Sequence, residues 1–367
     1  MYTRLLPVIF LLLVLHTLHG QETDTSALAV DLEFRPRTEL RRGFRGLTAG
    51  DSEWAFLTSH RARLNLHYQR PGLIVHSTLQ DIRLWGEEDT RNAKGWAQFF
   101  EMFVEPDLSD TWSVRVGRQM ISYDNERFFA RNDWRQAGGQ HDAVRFMHRR
   151  EGFQMDFIGA FNQSQSRRFG TAYTPDFDFY KVLLAHFLKA DLSDQFELTL
   201  INFGDGYQDP TGQSATNFKW TNGGRLRYTR NNLMITGAAY YQHGKLATGV
   251  DHQAYYLEAE GQWRPTDRYR VRLGVEILSG DDDPADDEST GFLAQYGAFH
   301  GHNGRMDFTE RLVRTRQNEG VQNPYLIQDF WLGGKWQLSW ENHLLATQAQ
   351  LAVQSGGAEV PLDKLYA

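Results

Sequence analysis

Between Leu28 and Arg41 the chain reads as two interleaved sequences. Leu28, Val30, Leu32 and Phe34 are apolar, whereas Asp31, Glu33, Arg35, Arg37, Glu39 and Arg41 are charged. Successive side chains of a β-strand point to opposite faces, so this period-two pattern specifies a strand with one apolar and one charged side. A helix would mix the two sets around its circumference. The apolar side needs apolar surroundings, and the other side carries both signs of charge and needs water or a polar partner. A strand of a transmembrane barrel has both, with lipid outside and a wet lumen inside.

The same two-faced pattern recurs along the chain. Ala62, Leu64, Leu66 and Tyr68 oppose Ser59, Arg61, Arg63, Asn65 and His67; Tyr255, Leu257, Ala259 and Trp263 oppose Tyr256, Glu258, Glu260 and Gln262; Tyr269, Val271, Leu273, Val275 and Ile277 oppose Arg270, Arg272 and Glu276. Polar and Gly/Pro-bearing stretches divide the chain into about fifteen such segments, most near the roughly 9 to 11 residues a tilted strand needs to cross a bilayer. The expected strands include Ala55 to Tyr68, Leu73 to Trp85, Thr111 to Tyr123, Pro324 to Leu338 and Leu344 to Gln354. The alternation slips near Gln80-Asp81 and Arg118-Gln119, which marks bulges or strand ends. Long polar connections, such as Asp124 to Gln140 and Ser279 to Asn323, alternate with tight turns such as Arg70-Pro71-Gly72. Short turns at one end and long loops at the other distinguish an outer-membrane barrel from a soluble meander.

Composition agrees. Aromatic residues make up 13% of the chain and there are 33 glycines, yet mean hydropathy is −0.55, as expected when only one face of each strand meets lipid. With no cysteine, disulfides and thiolate metal sites are excluded, and the net charge of −7 argues against a nucleic-acid partner. Arg4 followed by the apolar run Leu5 to Leu15 and by His16 to Gly20 reads as a secretory signal peptide over residues 1–20. That run is too short for a spanning helix, and no later run is longer, so strands would have to carry any membrane role. The stretch Leu362 to Ala367 offers no two-faced closing strand. The single barrel domain expected over residues 21–367 would therefore be completed by strands beyond Ala367, because an open edge facing lipid is very costly.

Specific segments carry a family resemblance. Glu33-Phe-Arg-Pro-Arg-Thr-Glu39, Gln80-Asp-Ile-Arg-Leu-Trp-Gly86, Gly117-Arg-Gln119 with Tyr123 and Arg127, Gln140-His-Asp142, Tyr240-Tyr-Gln-His-Gly-Lys245, Ser279-Gly-Asp281, and Gln295-Tyr-Gly297 followed by His300, Gly304 and Met306-Asp307 resemble the bacterial alginate export family. The resemblance implies an all-β, antiparallel outer-membrane barrel of about 18 strands whose arginine-rich lumen passes an anionic polyuronate. It also implies a Gram-negative outer-membrane location, lipid as a partner, and an export role in which periplasmic partners are left open. No cofactor is implied.

On the residues themselves, the candidate pathway is the arginines of the polar faces: Arg35, Arg37, Arg61, Arg63, Arg83, Arg115, Arg118, Arg145, Arg225, Arg227, Arg270 and Arg272. Arginine keeps its charge and presents a planar fork that fits carboxylates, and a conducting path binds weakly at many such points. The competing reading is structural: these arginines pair with the lumen acids Glu33, Glu39, Glu101, Glu105, Asp156, Glu258, Glu260 and Glu276 to brace the wall. Lesser candidates are a calcium site among Asp281, Asp282, Asp283, Asp286 and Asp287, a metal at His300, His302 and Asp307, and a hydrolase built from His141, Asp142 and Ser164 or Ser166. The calcium run lacks EF-hand spacing and no Gly-x-Ser-x-Gly elbow is present, so none of these displaces the channel reading. Trp85, Trp96, Trp112, Trp263 and Trp340 fall near strand ends, where interfacial rings belong.

Overall fold

The computed structural model describes residues 26–42, 53–87, 97–163, 166, 168–172, 179–212, 215–283, 286–298, 301–305, 319–349, 351–355 and 358–362. The expected signal peptide, and the end of the chain after residue 362, lie outside the described residues. Fifteen strands form one antiparallel sheet in chain order: β1 (Ala27–Arg41), β2 (Ala55–Arg70), β3 (Leu73–Leu84), β4 (Gln98–Pro106), β5 (Trp112–Gln119), β6 (His141–Arg150), β7 (Phe153–Phe161), β8 (Val182–Asp191), β9 (Phe196–Gln208), β10 (Thr216–Arg230), β11 (Leu233–Lys245), β12 (Asp251–Thr266), β13 (Tyr269–Leu278), β15 (Val321–Trp331) and β16 (Gln337–His343). The two-residue β14 (Glu288–Ser289) lies parallel beside β12, and β17 (Leu351–Ser355) pairs with β18 (Ala358–Leu362) in a separate hairpin. Among the described residues the sheet is open, with β1 and β16 at its edges.

The two faces sort as the alternation requires. On β1, Leu28, Val30, Leu32 and Phe34 are exposed, Leu32 at 74%, while Glu33, Arg35, Arg37 and Glu39 are partly buried on the other side. Register carries this across the sheet: Leu32 opposes Leu64, and Arg35 opposes Arg61. Exposed Leu66, Val104, Val116, Val144, Phe146, Phe157, Leu184, Leu226, Ile235, Leu257, Leu273 and Leu326 continue the apolar face over the whole sheet. A continuous apolar surface of this extent does not suit water; it suits a bilayer. The outward rings of Trp85, Trp263 and Trp340 are 62%, 53% and 62% exposed. Trp112 is half-buried against His148, and Trp96 lies outside the described residues.

The ends of several strands differ from expectation for local reasons. A bulge between Thr78 and Leu79 opposite β4 accounts for the slip near Gln80. β5 stops at Gln119 rather than Tyr123, because the chain turns there into the interior. The expected strand Pro324 to Leu338 is two strands. Leu332 donates its N–H to the Trp336 carbonyl at 2.8 Å, and Gly333 takes a φ of +82°, so residues 332–336 are a turn. The apolar residues on both sides of that turn keep the alternation going and hide the break. Nor is Leu344 to Gln354 one strand: Leu344 and Ala346 carry the β16 pairing on to the carbonyls of Pro324 and Gln322, whereas Leu351–Ser355 belongs to the separate hairpin.

Connections alternate as the barrel reading demands. Residues 71–72, 107–111, 151–152, 192–195, 231–232, 267–268 and 332–336 are short turns at one end; residues 42–54, 85–97, 120–140, 162–181, 209–215, 246–250 and 279–320 connect strands at the other. Two of these long connections, 120–140 and the described parts of 279–320, run through the interior and hold the apolar core. Phe128 and Phe129 from the first pack with Phe292 and Tyr296 from the second, against Phe203, Tyr240 and Tyr256 on the wall. Aromatic pairs of this kind contribute about 0.5–1.5 kcal/mol each beyond the area they bury.

Candidate functional site

The inner surface of the sheet is a charged wall. Strand parity and register place Arg35, Arg37, Arg61, Arg63, Arg115, Arg145, Arg225, Arg227, Arg270 and Arg272 on it, together with Glu33, Glu39, Glu101, Glu105, Glu258, Glu260 and Glu276. Two of the twelve candidate arginines do not belong there. Arg83 opposes His60 on the outer face, where it pairs with Asp81 at 2.9 Å, and Arg118 shares the outer face with Met102 and Val116 and pairs with Asp142 at 2.8 Å. Both lie near the long-loop ends of their strands.

Pairing is the rule for the inward arginines. Arg61, 1% exposed, is held by Glu33 and by Asp133 at 2.8 Å; Arg63 meets Asp133 at 2.8 Å and lies over the Phe100 ring. Arg37 pairs with Glu39 at 3.0 Å, Arg115 with Glu105 at 2.6 Å, Arg225 with Glu258 at 3.0 Å, Arg227 with Glu197 at 2.5 Å, and Arg270 with Asp329 at 2.8 Å. Fully buried Asp156 accepts from Arg145, Arg149 and the Tyr123 hydroxyl. Glu101 accepts from the Met120 N–H at 2.8 Å, fixing the point where the chain leaves β5 for the interior. The structural reading of these arginines therefore holds for most of them. Arg35 differs: it donates to Gln136 at 2.9 Å and to the carbonyls of Asp133 and Arg135 at 2.7 Å.

These contacts have one common target. Arg35, Arg37, Arg61 and Arg63 all reach Asp133, Trp134, Arg135 or Gln136, so the β1–β2 wall grips the 120–140 segment across the interior. Burial opposes ionisation of Asp133, but Arg61 and Arg63 outweigh it and hold the carboxyl below its ordinary range. The far end of the segment is held differently. Ala298 donates to the Glu126 carbonyl at 2.7 Å, Ala130 donates to the Tyr296 carbonyl at 3.1 Å, and the Asn132 amide donates to Gly297 at 3.4 Å. The two inward segments thus form one body, anchored again where Arg127 meets Glu276 at 2.9 Å and where the Tyr296 hydroxyl joins Tyr207 and Asp205. Beside Asp205 lies Lys219, at 3.1 Å, both fully buried.

A polar cavity of about 330 Å³ remains between this body and the β10–β16 wall, lined by Glu258, Glu260, Arg272, Glu276, Tyr325 and His343 from the wall and by Asn125, Glu126 and His302 from the inward segments. Burial, reinforced by nearby Arg127, pushes the His302 imidazole down to about 4, and its Nε2–H donates to the Asn125 carbonyl at 3.0 Å. His302 is therefore a structural donor. His300 and Asp307, its expected metal partners, lie outside the described residues, as does part of the 281–287 run. Among the described residues no three acids or histidines are placed to hold a metal ion.

The hydrolase constellation is not assembled. His141 and Asp142, adjacent on β6, point to opposite faces; His141 is buried and bonds the Tyr180 hydroxyl at 2.8 Å, while Asp142 faces outward to Arg118. Ser166 is exposed, and Ser164 lies outside the described residues. The inward anchor residues Asp133, Gln136, Arg127 and Tyr296 were not singled out in the sequence as a gripping set. The available signal was apolar: Phe128-Phe129 and Phe292-Leu293 interrupt otherwise polar connections.

Comparison with known proteins places the architecture. An anion-selective porin from Comamonas acidovorans superimposes with a TM-score of 0.53 over 89% of this chain and 91% of its own, at 12% sequence identity. OccK5 (OpdH) of Pseudomonas aeruginosa gives 0.49 over 91% and 89% at 11% identity, and OmpF of Salmonella typhi, solved with daunomycin, gives 0.48 over 86% and 89% at 9%. No family model and no curated protein sequence matches the chain. The first likeness shows the fold, that of an outer-membrane β-barrel porin.

Proposed function

We propose that this protein is an outer-membrane channel for passive, anion-preferring passage of small solutes, with acidic sugars such as uronates and short uronate oligomers as the cargo class. The observation that carries this reading is the charged inner wall. Arg37 and Arg227 spend only part of their five-donor forks on their carboxylates, and their side chains remain 36% and 40% exposed. Such partly free guanidinium groups offer an anion successive weak contacts, as conduction requires. The resemblance to alginate export barrels supports an acidic sugar. The aromatic body across the interior favours short solutes over a long polymer, and the location in a Gram-negative outer membrane, after removal of a signal peptide, follows from the same reading.

Three wall carboxylates, Glu258, Glu260 and Glu276, favour a second reading, a porin of low selectivity for small nutrients. Planar-bilayer recordings decide between them. The first predicts a zero-current potential of anion sign in a salt gradient, current block by a uronate trisaccharide, and weaker block in Arg37→Ala/Arg227→Ala. Cation preference, or no block by the trisaccharide, would overturn it.

A further inference from the structure

The cavity behind the inward body has a charge arrangement that the paired wall elsewhere lacks. Glu260, Gly274, Tyr325 and His343 lie in one row across β12, β13, β15 and β16. A Cβ at Gly274 would stand 2.5 Å from Cζ of Tyr325, so the absence of a side chain there lets the tyrosine ring lie across β13, and its hydroxyl donates to Glu260 Oε2 at 2.7 Å. That hydroxyl is the only polar partner of the Glu260 carboxylate among the described residues, and no cation lies within 4.0 Å of it. Every other acid lining the cavity has an arginine: Glu258 has Arg225, Glu276 has Arg127 and Glu126 has Arg131.

The cation side mirrors this. Arg272 sits two residues from Gly274 along β13, so its Cα is offset from the Glu260 row by about 7 Å. Its Nε is buried without a hydrogen-bond partner, and its nearest carboxylate, Asp329, is 3.9 Å away and already bonded to Arg270. His343 is similar. The Asn323 amide nitrogen donates to His302, so its oxygen faces His343 Nδ1, which must carry the proton. In the neutral ring Nε2 is then an acceptor, buried without a hydrogen-bond partner, with the Glu341 carboxylate 3.9 Å away.

We infer that this cavity is a binding station for a zwitterionic α-amino acid, its ammonium on Glu260, its carboxylate on the guanidinium of Arg272, whose side chain is 26% exposed at the cavity, and its polar side chain toward the His343 end. The two charged groups stand on neighbouring strands two residues out of register, facing one cavity, which suits a molecule carrying both charges. A purely anionic ligand would leave Glu260 uncompensated and repelled, and a neutral polyol would compensate neither charge. Free amino acids with donor side chains, such as glutamine or serine, fit both the charges and the volume. The station extends the channel reading, on which it rests for access of the solute.

Titration calorimetry on the full-length chain refolded in detergent tests it with L-glutamine, N-acetyl-L-glutamine, which lacks the ammonium, and L-glutamine amide, which lacks the carboxylate. L-glutamine should bind at least tenfold more tightly than either. Glu260→Gln should weaken L-glutamine at least tenfold and leave the N-acetyl compound unchanged, and Arg272→Gln should weaken L-glutamine while sparing the amide. Equal binding of L-glutamine and its N-acetyl form, or no binding by the folded wild-type chain, would overturn the proposal. Should either variant fail to give β-sheet circular dichroism, the wild-type ligand series still decides. Conductance in KCl on the same preparation separates the two readings: conduction without glutamine binding removes the station and keeps the channel, and binding without conduction does the reverse.

Discussion

The carbonyl oxygen of Arg127 stands 1.8 Å from the position a Cβ would occupy on Gly297. The two inward segments meet there backbone to backbone, and the hydrogen bonds of Glu126 with Ala298 and of Tyr296 with Ala130 flank the contact. No side chain fits. Gly297→Ala should push the segments apart at a cost of about 1–3 kcal/mol, lowering the temperature at which the folded chain loses its compact electrophoretic form. Single-channel conductance of the variant should rise; an unchanged melting temperature and conductance would mean the segments do not act as one body.

Asp133 is the shared acceptor of Arg61 and Arg63. Removing its charge in Asp133→Asn takes one carboxylate from two guanidinium groups, leaving buried Arg61 on Glu33 and Arg63 on Gln80, at a cost of about 1–3 kcal/mol. The expected readout is a larger conductance and a shift of the zero-current potential toward greater anion preference. A shift toward cations would contradict the position of Asp133 beside the conducting path.

Acidification should loosen the inward body in two stages. Buried His302 titrates near 4 in the folded chain against about 6.5 when unfolded. Between those values the unfolded chain binds the extra proton, so the neutral imidazole contributes stability fully present above about 6.5 that falls away by roughly 3 kcal/mol down to about 4. Asp133 behaves oppositely in range. Its carboxyl is held below the ordinary value by Arg61 and Arg63, so its contribution is complete above about 4 and is lost only as pH falls further. Denaturant midpoints measured from pH 7.5 to 3 should show both stages, and His302→Gln should shrink the first while leaving the second.

Leu273 projects from β13 on the apolar face, 66% exposed, next to inward Arg272. Leu273→Arg should cost about 2–4 kcal/mol in phospholipid vesicles if the residue lies near the bilayer midplane. Unfolding in guanidinium from such vesicles measures this, and an unaltered midpoint would exclude lipid as the environment of that face.

Most of the sheet was legible because period-two alternation survives wherever one face is lipid and the other is wet. The Leu28 to Arg41 pattern gives the face of β1 and the parity of its register against β2. Parity also held the answer for Arg118, since Val114 and Val116 place it outward, but the adjacent Arg118-Gln119 pair obscured the face. Arg83 was harder, because β3 puts Ile74 and Ile82 inside and Asp81 and Arg83 outside near its loop end, reversing the usual polarity. The interior body was illegible in spacing. Its grip on the β1–β2 arginines and its seam join residues 70 or more positions apart, and no local periodicity encodes them; only the apolar pairs in polar loops hinted that those loops are buried.

The junction of Glu126 with Ala298 also sets an order of events in time. The strands β6 through β13 stand between the two partners along the chain, and a contact between such distant segments forms only after the loop-closure entropy of everything between has been overcome. Neighbouring strands pair locally and early. The wall is therefore built hollow and filled afterwards, so the newly assembled sheet passes through a wider-bored state before Tyr296 and Phe129 close on each other.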